Sequence, residues 1–445
     1  MSRSGLVLIL AFVFGAGAWF YVYGLLDPAW KTQRRGSDGN AYHSDLYERW
    51  VGTRLALRSR VNPYDDSVTR EIQRGIYGRP LGASSTLDPR AFAYPAHVMV
   101  LVAPLAVLPF AVASPIFSVI LYAIALGLMP LFMSCPGQNW NRRSKGIAIL
   151  VLFTSFQLVL ALYVQQFTVL VIFALAAGLV CLKKHHFVSA GILFALTTIK
   201  PQLVAPILGW LALWSIMRWR ARYRLLVSFL ASMAVLVIVP EFLVSGWVRK
   251  WVTAANVYLQ YQNRKVPAAW LLPGTLAAVA TAAAVIPALI LLWQLRDADP
   301  EEERFGFAVA LVLAATLLVV PVWPALQYNQ LLLIPAVLVI VRHWPDKRRR
   351  TQWRLSLLAL AMLGFSSVGA LLVSLTVLLF RIPVERLGWA ELPLFNFAVV
   401  PFLTTTALVA LLWTAVVHGQ GITVLNPGPD SPRRWSKQDE AVVQR

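Results

Sequence analysis

Long apolar runs, separated by short polar segments, constrain this chain more than any other feature of its sequence. Most of the runs approach or exceed the length of about 20 residues that an α-helix needs to cross a bilayer. Hydrophobic residues make up 58% of the chain and charged residues only 13%, whereas soluble domains carry about 25% charged residues. The sequence therefore predicts an all-α polytopic membrane protein.

We assign about twelve transmembrane helices to these runs. The runs cover residues 5–26, 114–133, 147–164, 167–182, 187–199, 203–217, 225–244, 275–294, 305–322, 331–341, 355–380 and 394–418. The first is predicted to be a retained anchor, because its apolar residues continue past a weak cleavage site. Another apolar segment, 94–110, is broken by Pro95, Pro104 and Pro109. We predict a partly buried or re-entrant element there instead of a span.

The Lys and Arg residues predict how the chain is oriented in the membrane. They concentrate in alternate short loops, notably 142–145, 183–184, 218–224 and 342–354. Short loops rich in Lys and Arg remain cytoplasmic, so both termini are predicted to be cytoplasmic and the long first loop to be outside. This distribution accounts for the formal net charge of +20 without a nucleic-acid partner, since no nucleic-acid-binding motif is present. The predicted location is the plasma membrane, with a site on its periplasmic or extracellular face.

The domain organisation is predicted to be simple. We expect one membrane domain, residues 1–418, in which 27–110 form an outer loop with juxtamembrane or re-entrant helices. The charged, proline-containing tail 419–445 is expected to be cytoplasmic and disordered. The two cysteines and six histidines show neither a disulfide framework nor a metal-ligand spacing.

Polar side chains gather at segments that this topology places on one face of the membrane. They include the first loop, Gln166, Lys200 and the stretches 258–270 and 323–330. The orientation rests on Lys and Arg of the short loops, so the grouping of these other polar features is a separate indication of an outward-facing site. Asp45 lies near the start of a predicted helix, 47–58, where its carboxylate either takes part in chemistry or caps the helix.

Cationic side chains near this face suit an anionic ligand. Lys200, next to Pro201 at the end of a run, either contacts a phosphate or extends to the membrane interface. Seven of the first-loop arginines are candidates, because guanidinium groups bind phosphate in a bidentate manner or attract anionic lipid headgroups. These are Arg49, Arg54, Arg58, Arg70, Arg74, Arg79 and Arg90. We assign Arg54, Arg58, Arg74 and Arg79, together with Lys200, to phosphate binding.

The order and spacing of several motifs resemble glycosyltransferase family 87. The motifs are Asp45-Leu46-Tyr47, Asn62-Pro63-Tyr64, Tyr94-Pro95, Gln166 and the block from Gly191 to Lys200-Pro201. The resemblance covers about residues 40–215. It implies a GT-C fold with a large first outer loop, and transfer of mannose from a polyprenyl phosphate to a lipid or glycan hydroxyl.

The resemblance also implies roles for individual residues. The family's catalytic base is an Asp of the first outer loop, which Asp45 matches, and the expected outcome is inversion by single displacement. Candidate contacts to the sugar or acceptor are Tyr47, Tyr64, Gln166, Gln202, Trp323, Gln327 and Tyr328. Family members often carry a Trp-Asp-His group before a late span. Trp323 matches its Trp, whereas the corresponding stretch, 321–330, contains no His.

The expected partners are a polyprenyl-phosphate sugar donor, a lipid or glycan acceptor and membrane lipids. No cofactor is required by the sequence, and a divalent cation stays open, although one firm carboxylate is too few for a protein-built cage. Two other functions also stay open. A transporter of polyprenyl-linked lipids is one, although such proteins usually show paired halves. An inactive relative is the other, given the missing His.

Overall fold

The chain is helical almost throughout, as the apolar runs predict. The structure, a computed structural model, describes residues 3–29, 43–82, 85, 87–135, 140, 142–261, 265–320, 324–345, 347–383, 386–387 and 390–417. Of the described residues, 80% are helical, and no strand occurs among them. Hydrocarbon offers no partners to backbone N–H and C=O groups, so an apolar chain satisfies them within its own helices. The predicted disorder of residues 419–445 lies outside the described residues.

Every predicted run coincides with at least one helix. The first half contains α1 (Arg3–Trp19, continued by the π-helix Phe20–Leu26), α2 (Asp45–Ser59), α3 (Asp66–Tyr77), α4 (Val98–Ala106), α5 (Phe110–Phe132), α6 (Arg142–Phe153), α7 (Phe156–Tyr163), α8 (Thr168–Lys183), α9 (Phe187–Thr197) and α10 (Pro201–Met217). The second half contains α11 (Trp219–Glu241), α12 (Trp247–Tyr261), α13 (Ala268–Leu271), α14 (Gly274–Gln294), α15 (Glu303–Val319), a 3-10 helix (Pro324–Leu333), α16 (Ile334–Arg342), α17 (Arg350–Phe380), a second 3-10 helix (Leu392–Phe397) and α18 (Val399–Val417).

Fewer helices are long enough to cross a membrane than the sequence predicts. Six helical segments in the described ranges are long and apolar enough to cross a membrane: Gly5–Ala29, Phe110–Phe132, Trp219–Glu241, Gly274–Gln294, Arg350–Phe380 and Leu392–Trp413. The neighbouring helices α6 and α7 are bent by 57° and count as a seventh span if they cross together. The remaining apolar helices, such as α8, α9 and α10, are shorter. Twelve spans therefore remain a prediction.

The proline-broken segment after the first loop forms a short helix. The nine residues of α4 extend roughly 14 Å at 1.5 Å per residue, about half of the hydrocarbon thickness. The helix packs against α2, where the indole N–H of Trp50 donates to the carbonyls of Leu105 and Leu108 at 3.1 and 3.2 Å. A helix of this length does not cross the hydrocarbon by itself, and the re-entrant character of residues 94–110 stays a prediction.

The first loop folds as a compact unit because α2 and α3 approach closely. A Cβ atom added at Gly75 of α3 would lie 1.8 Å from the hydroxyl of Tyr47 on α2. A larger residue at this position would therefore force the buried Tyr47 ring to shift. The helix α2 ends at Ser59, and its C-cap residue Arg60 has a left-handed φ of +54°, which directs the chain towards α3. The predicted helix 47–58 is thus confirmed and extended at both ends.

Polar residues separate to two ends of the helical bundle. The helix α8 begins beside the first-loop unit with Thr168 and ends with Lys183, roughly 24 Å away along its axis. At the Lys183 end lie the ion pairs Arg222–Asp299, at 3.6 Å, and Arg342–Glu303, at 2.5 Å. A cavity of about 830 Å³ at this end is lined by Lys145, Lys183 and Lys184, among others. The other end contains Asp45.

Candidate active site

Asp45 is the first residue of α2, and its carboxylate is held from two sides. Its backbone N–H donates to the carbonyl of Val164 at 2.9 Å, while Ser44 occupies the N-cap position. The Oδ1 atom lies 3.5 Å from Nη1 of Arg90, and Oδ2 accepts a 2.5 Å hydrogen bond from Nε2 of Gln166. The side chain keeps an exposure of 19%. The carboxylate is therefore oriented by its neighbours and does not serve as the helix cap.

Gln166 links this carboxylate to a buried amine. It is fully buried in the turn between α7 and α8, where the preceding Gln165 has a left-handed φ of +54°. Its Oε1 accepts a hydrogen bond from Nζ of Lys200. Because a carboxylate only accepts and an ammonium group only donates, these two partners fix which way the Gln166 amide points.

Lys200 lies between α9 and α10 and is only 5% exposed. Its Nζ donates to Oγ1 of Thr168 at 2.8 Å. The same atom lies 5.7 Å from the ring centre of Tyr94 and 5.1 Å from that of Tyr328. Aromatic faces attract cations through their quadrupoles. Lys200 is thus a buried cation held at the site, and the alternative of an extended, interfacial lysine does not apply.

A second carboxylate, Glu48, lies one turn after Asp45 on α2. It forms ion pairs with Nη1 of Arg49 and, at 3.0 Å, with Nε of Arg90. Arg49 also stacks over the ring of Tyr94, with its guanidinium carbon 3.9 Å from the ring centre. Burial raises the pKa of the Glu48 carboxyl, and the two arginines act in the opposite direction. We call Asp45, Glu48, Arg49, Arg90, Gln166 and Lys200 the ionic cluster.

The sequence identified only part of this cluster. Glu48 is absent from the predicted site, and Arg49 and Arg90 appear only in the wider set of loop arginines. A signal for two of them was available, because residues three and four positions after Asp45 share its helix face. Arg90 has no such local signal, since it reaches the cluster from a distant turn.

The arginines assigned to phosphate binding lie elsewhere. Nη1 of Arg54 donates to the carbonyls of Ala106 and Leu108, both at 2.9 Å. Arg58 donates to the carbonyl of Val107 at 3.3 Å. These two side chains satisfy carbonyls at the end of α4, which otherwise lack helical partners.

Arg74 and Arg79 are exposed at the surface of the first-loop unit. Arg74 pairs with Glu71 at 3.2 Å, and the side chain of Arg74 is 58% exposed. The structure brings neither residue to Asp45. Of the five cations assigned to phosphate binding, Lys200 alone belongs to the ionic cluster.

The candidate sugar and acceptor contacts are also divided. Tyr328 and Gln166 lie at Lys200. Tyr64 reaches Lys200 only indirectly: its hydroxyl donates to the carbonyl of Tyr94 at 2.8 Å, and the Tyr94 ring lies beside Lys200. Tyr47 is 2% exposed and packs between α2, α3 and α5 instead of facing the cluster.

Two further candidates, Gln202 and Gln327, do not join the ionic cluster. Gln202 is exposed in the first turn of α10. Gln327 is buried, with its amide donating to Asn396 at 2.9 Å and its Oε1 accepting from Ser366 at 3.0 Å. Trp323 lies outside the described residues. Family members often carry a His in the stretch that corresponds to 321–330, and this chain has none there.

The donor set of the cluster suits an anion better than a metal ion. Across the described ranges, no three His, Cys, Asp or Glu side chains gather closely enough to hold a metal. The carboxylates of Asp45 and Glu48 are engaged by Arg49, Arg90 and Gln166. Three cations and an amide around two carboxylates leave positive charge for a ligand.

The fold and the cluster together define a multi-helix membrane protein with an ionic site at one end of its bundle. The sequence model of glycosyltransferase family 87 matches residues 92–321. The chain belongs to this family and is a membrane glycosyltransferase. Comparison with curated proteins and with solved structures gives no match. The matched range contains Gln166 and Lys200 but begins after Asp45.

Proposed function

We propose that the protein transfers a sugar from a polyprenyl phosphate to a lipid or glycan hydroxyl. The sugar that the family resemblance implies is mannose. One observation carries the proposal: Gln166 joins the Asp45 carboxylate to the buried amine of Lys200. A base and an anion-binding cation are thereby held side by side. The site would face the periplasm or cell exterior, with both termini cytoplasmic, as the Lys and Arg distribution predicts.

The charge of the cluster supports a phosphodiester donor. Asp45 and Glu48 supply two negative charges, and Arg49, Arg90 and Lys200 supply three positive charges. Counted on these five side chains, with both carboxylates ionised, the cluster has one net positive charge, which a sugar phosphodiester with one negative charge would neutralise. After transfer, Asp45 is protonated and the released phosphate carries up to two negative charges, so the balance is preserved through the reaction.

In the proposed step, Asp45 accepts the proton of the acceptor hydroxyl while that oxygen attacks the anomeric carbon. The bond between the anomeric carbon and the phosphate oxygen breaks, and its electron pair leaves with polyprenyl phosphate. Attack opposite to the leaving group inverts the anomeric configuration. Lys200 stabilises the charge that develops on the leaving phosphate, in a setting where water is largely excluded.

The remaining groups support this chemistry without taking part in it. Gln166 keeps the base and the cation at a fixed separation. The rings of Tyr94 and Tyr328 lie beside the Lys200 amine. Residues 1–418 would form one membrane domain, with 27–110 as its outer part. No step requires a divalent cation.

A transfer assay with the purified full chain in lipid vesicles tests the proposal. The donor is polyprenyl-phosphate mannose, the acceptors are a panel of lipids and glycans, and Asp45→Asn is compared with wild type. We expect wild-type transfer and a loss of at least about 100-fold in Asp45→Asn. Asp66→Asn is the matched control, because Asp66 is an exposed carboxylate at the start of α3.

Three outcomes would contradict the proposal. Equal rates for wild type and Asp45→Asn would remove Asp45 as the base. Movement of labelled donor lipid across the bilayer with no sugar transfer would favour the transporter, and neither transfer nor movement with any acceptor would favour an inactive relative.

A further inference from the structure

The turn at residues 88–90 is built to place one side chain. Arg90 has a left-handed φ of +50°, a backbone conformation that non-glycine residues rarely adopt. Two side chains of α3 hold the turn: Nε2 of Gln73 donates to the carbonyl of Pro89 at 2.8 Å, and the Tyr77 hydroxyl donates to that of Asp88 at 2.7 Å. The strained backbone is therefore maintained by hydrogen bonds from a neighbouring helix.

Asp88 fixes the same turn with both of its carboxylate oxygens. Its Oδ1 accepts a hydrogen bond from the backbone N–H of Arg90 at 3.1 Å. Its Oδ2 accepts one from the hydroxyl of Tyr258 on α12 at 3.2 Å. The turn is thus tied to α3 on one side and to α12 on the other.

The side chain of Arg90 extends from this turn into the ionic cluster and is only 9% exposed. Its Nε lies 3.0 Å from Oε1 of Glu48, and its Nη1 lies 3.5 Å from Oδ1 of Asp45. Asp45 is held at its other oxygen by Gln166. Contacts at both oxygens fix the plane of a carboxylate, and with it the direction of the lone pair that would meet an acceptor hydroxyl.

We propose that Arg90 is a positioning residue of the transfer reaction: it orients the Asp45 carboxylate, while Glu48 and the 88–90 turn orient Arg90. The inference rests on the proposed role of Asp45 as the base. Arg90 is engaged by two carboxylates, whereas Lys200 is held by the neutral side chains of Gln166 and Thr168. Loss of Arg90 should therefore affect the chemical step more than donor binding.

The kinetic constants of Arg90→Gln and Arg90→Lys, measured in vesicles with polyprenyl-phosphate mannose, test this role. We expect Arg90→Gln to lower kcat by about 100-fold or more, with the donor KM within about 2-fold of wild type. Arg90→Lys should recover part of kcat, because it keeps the charge but lacks the planar guanidinium. A raised donor KM with unchanged kcat would make Arg90 a phosphate ligand and overturn the proposal.

Tyr77→Phe keeps the test decisive if the Arg90 variants do not fold. This change removes one hydrogen bond from the turn and leaves every charge in place. We expect kcat to fall by about 3- to 10-fold at constant donor KM, because the carbonyl of Asp88 loses its hydrogen-bond donor and the turn loosens. Unchanged kcat in both Tyr77→Phe and Gln73→Ala would overturn the role of the turn.

Asp45→Asn separates this inference from the proposed function. If that variant keeps full activity, the base assignment fails whatever Arg90 does. If Asp45→Asn is inactive while Arg90→Gln retains wild-type kcat, the base assignment stands and the positioning role fails.

Discussion

The side-chain amide of Gln166 donates a 2.5 Å hydrogen bond to Oδ2 of Asp45, across 121 residues of sequence. The same amide accepts a hydrogen bond from Lys200. One neutral side chain thus sets the distance between the carboxylate and the buried amine.

A charge placed at Gln166 should disrupt this arrangement. In Gln166→Glu, the new carboxylate repels Asp45 and pairs with Lys200, so the amine is neutralised before a donor arrives. We expect kcat/KM to fall by about 100-fold or more, since like charges at this distance cost several kcal/mol in a buried setting. Gln202→Glu, at an exposed position, is the control and should stay within about 2-fold. Equal losses in both variants would assign Gln202 to the site.

Lys200 and the surface arginines should differ sharply as phosphate-binding residues. Lys200→Gln removes a cation that is 5% exposed, and we expect kcat/KM to fall by about 100- to 1,000-fold. Arg74→Gln and Arg79→Gln change exposed side chains, so we expect changes of about 2-fold or less. Initial rates at low donor concentration measure all three. A loss in Arg74→Gln as large as that in Lys200→Gln would restore the phosphate role assigned to the loop arginines.

Gly191 should be required for the position of α9, the helix that leads to Lys200. A Cβ atom there would lie 2.6 Å from the Leu225 carbonyl and 2.8 Å from the Phe229 nitrogen, and backbone atoms of α11 cannot move aside individually. We expect Gly191→Ala to destabilise the protein by about 1–3 kcal/mol.

Gly209→Ala on α10 is the matched control, because nothing lies within 4 Å of its added Cβ. Alanine should stabilise that helix by up to about 1 kcal/mol. Thermal unfolding of the two variants in the same detergent compares them. A Gly191→Ala variant as stable as Gly209→Ala would contradict the close packing of α9 on α11.

His97 should make stability depend on pH. It precedes α4, is 4% exposed and contacts Oγ1 of Thr198 at 3.3 Å. Burial lowers its pKa from 6.5 to about 4. The folded protein therefore favours neutral His97, so its contribution to stability is present above pH 6.5 and is lost as the pH falls towards 4.

Between pH 7 and pH 5, this loss amounts to about 2 kcal/mol. Unfolding temperatures of wild type and His97→Gln at both pH values provide the measurement. The variant should lose less stability than wild type over this interval, because the other titrating groups are shared. Identical losses would show that His97 does not titrate in this way.

The helices were largely predictable because each apolar run specifies its own local structure. The runs at 114–133, 275–294 and 355–380 correspond to α5, α14 and α17 with small shifts at their ends. The short helix α4 was expected because prolines interrupt its segment. The count of spans was less predictable, since α8, α9 and α10 are apolar but shorter than the bilayer, and apolar composition alone does not distinguish a buried helix from a span.

The candidate site was likewise only partly predictable from the sequence. Asp45, Gln166 and Lys200 were predicted from their motifs and their shared face of the membrane, and the structure brings them together. Arg54 and Arg58 were predicted by residue type, yet they bond to the carbonyls at the end of α4. Residue type states what a guanidinium can bind but not which acceptor lies within reach.

By itself the sequence determined that this chain is a helical membrane protein of glycosyltransferase family 87. Hydropathy and the order of motifs are properties of the linear chain, and they do not depend on which segments meet in the fold. Only the tertiary structure decided which charged groups form one cluster. Glu48 and Arg90 meet because the 88–90 turn is held by α3 and α12, and Lys200 meets Gln166 because α8, α9 and α10 converge at one end of the bundle. Ionic contacts depend on distances of a few ångströms between segments far apart in sequence, and packing sets those distances.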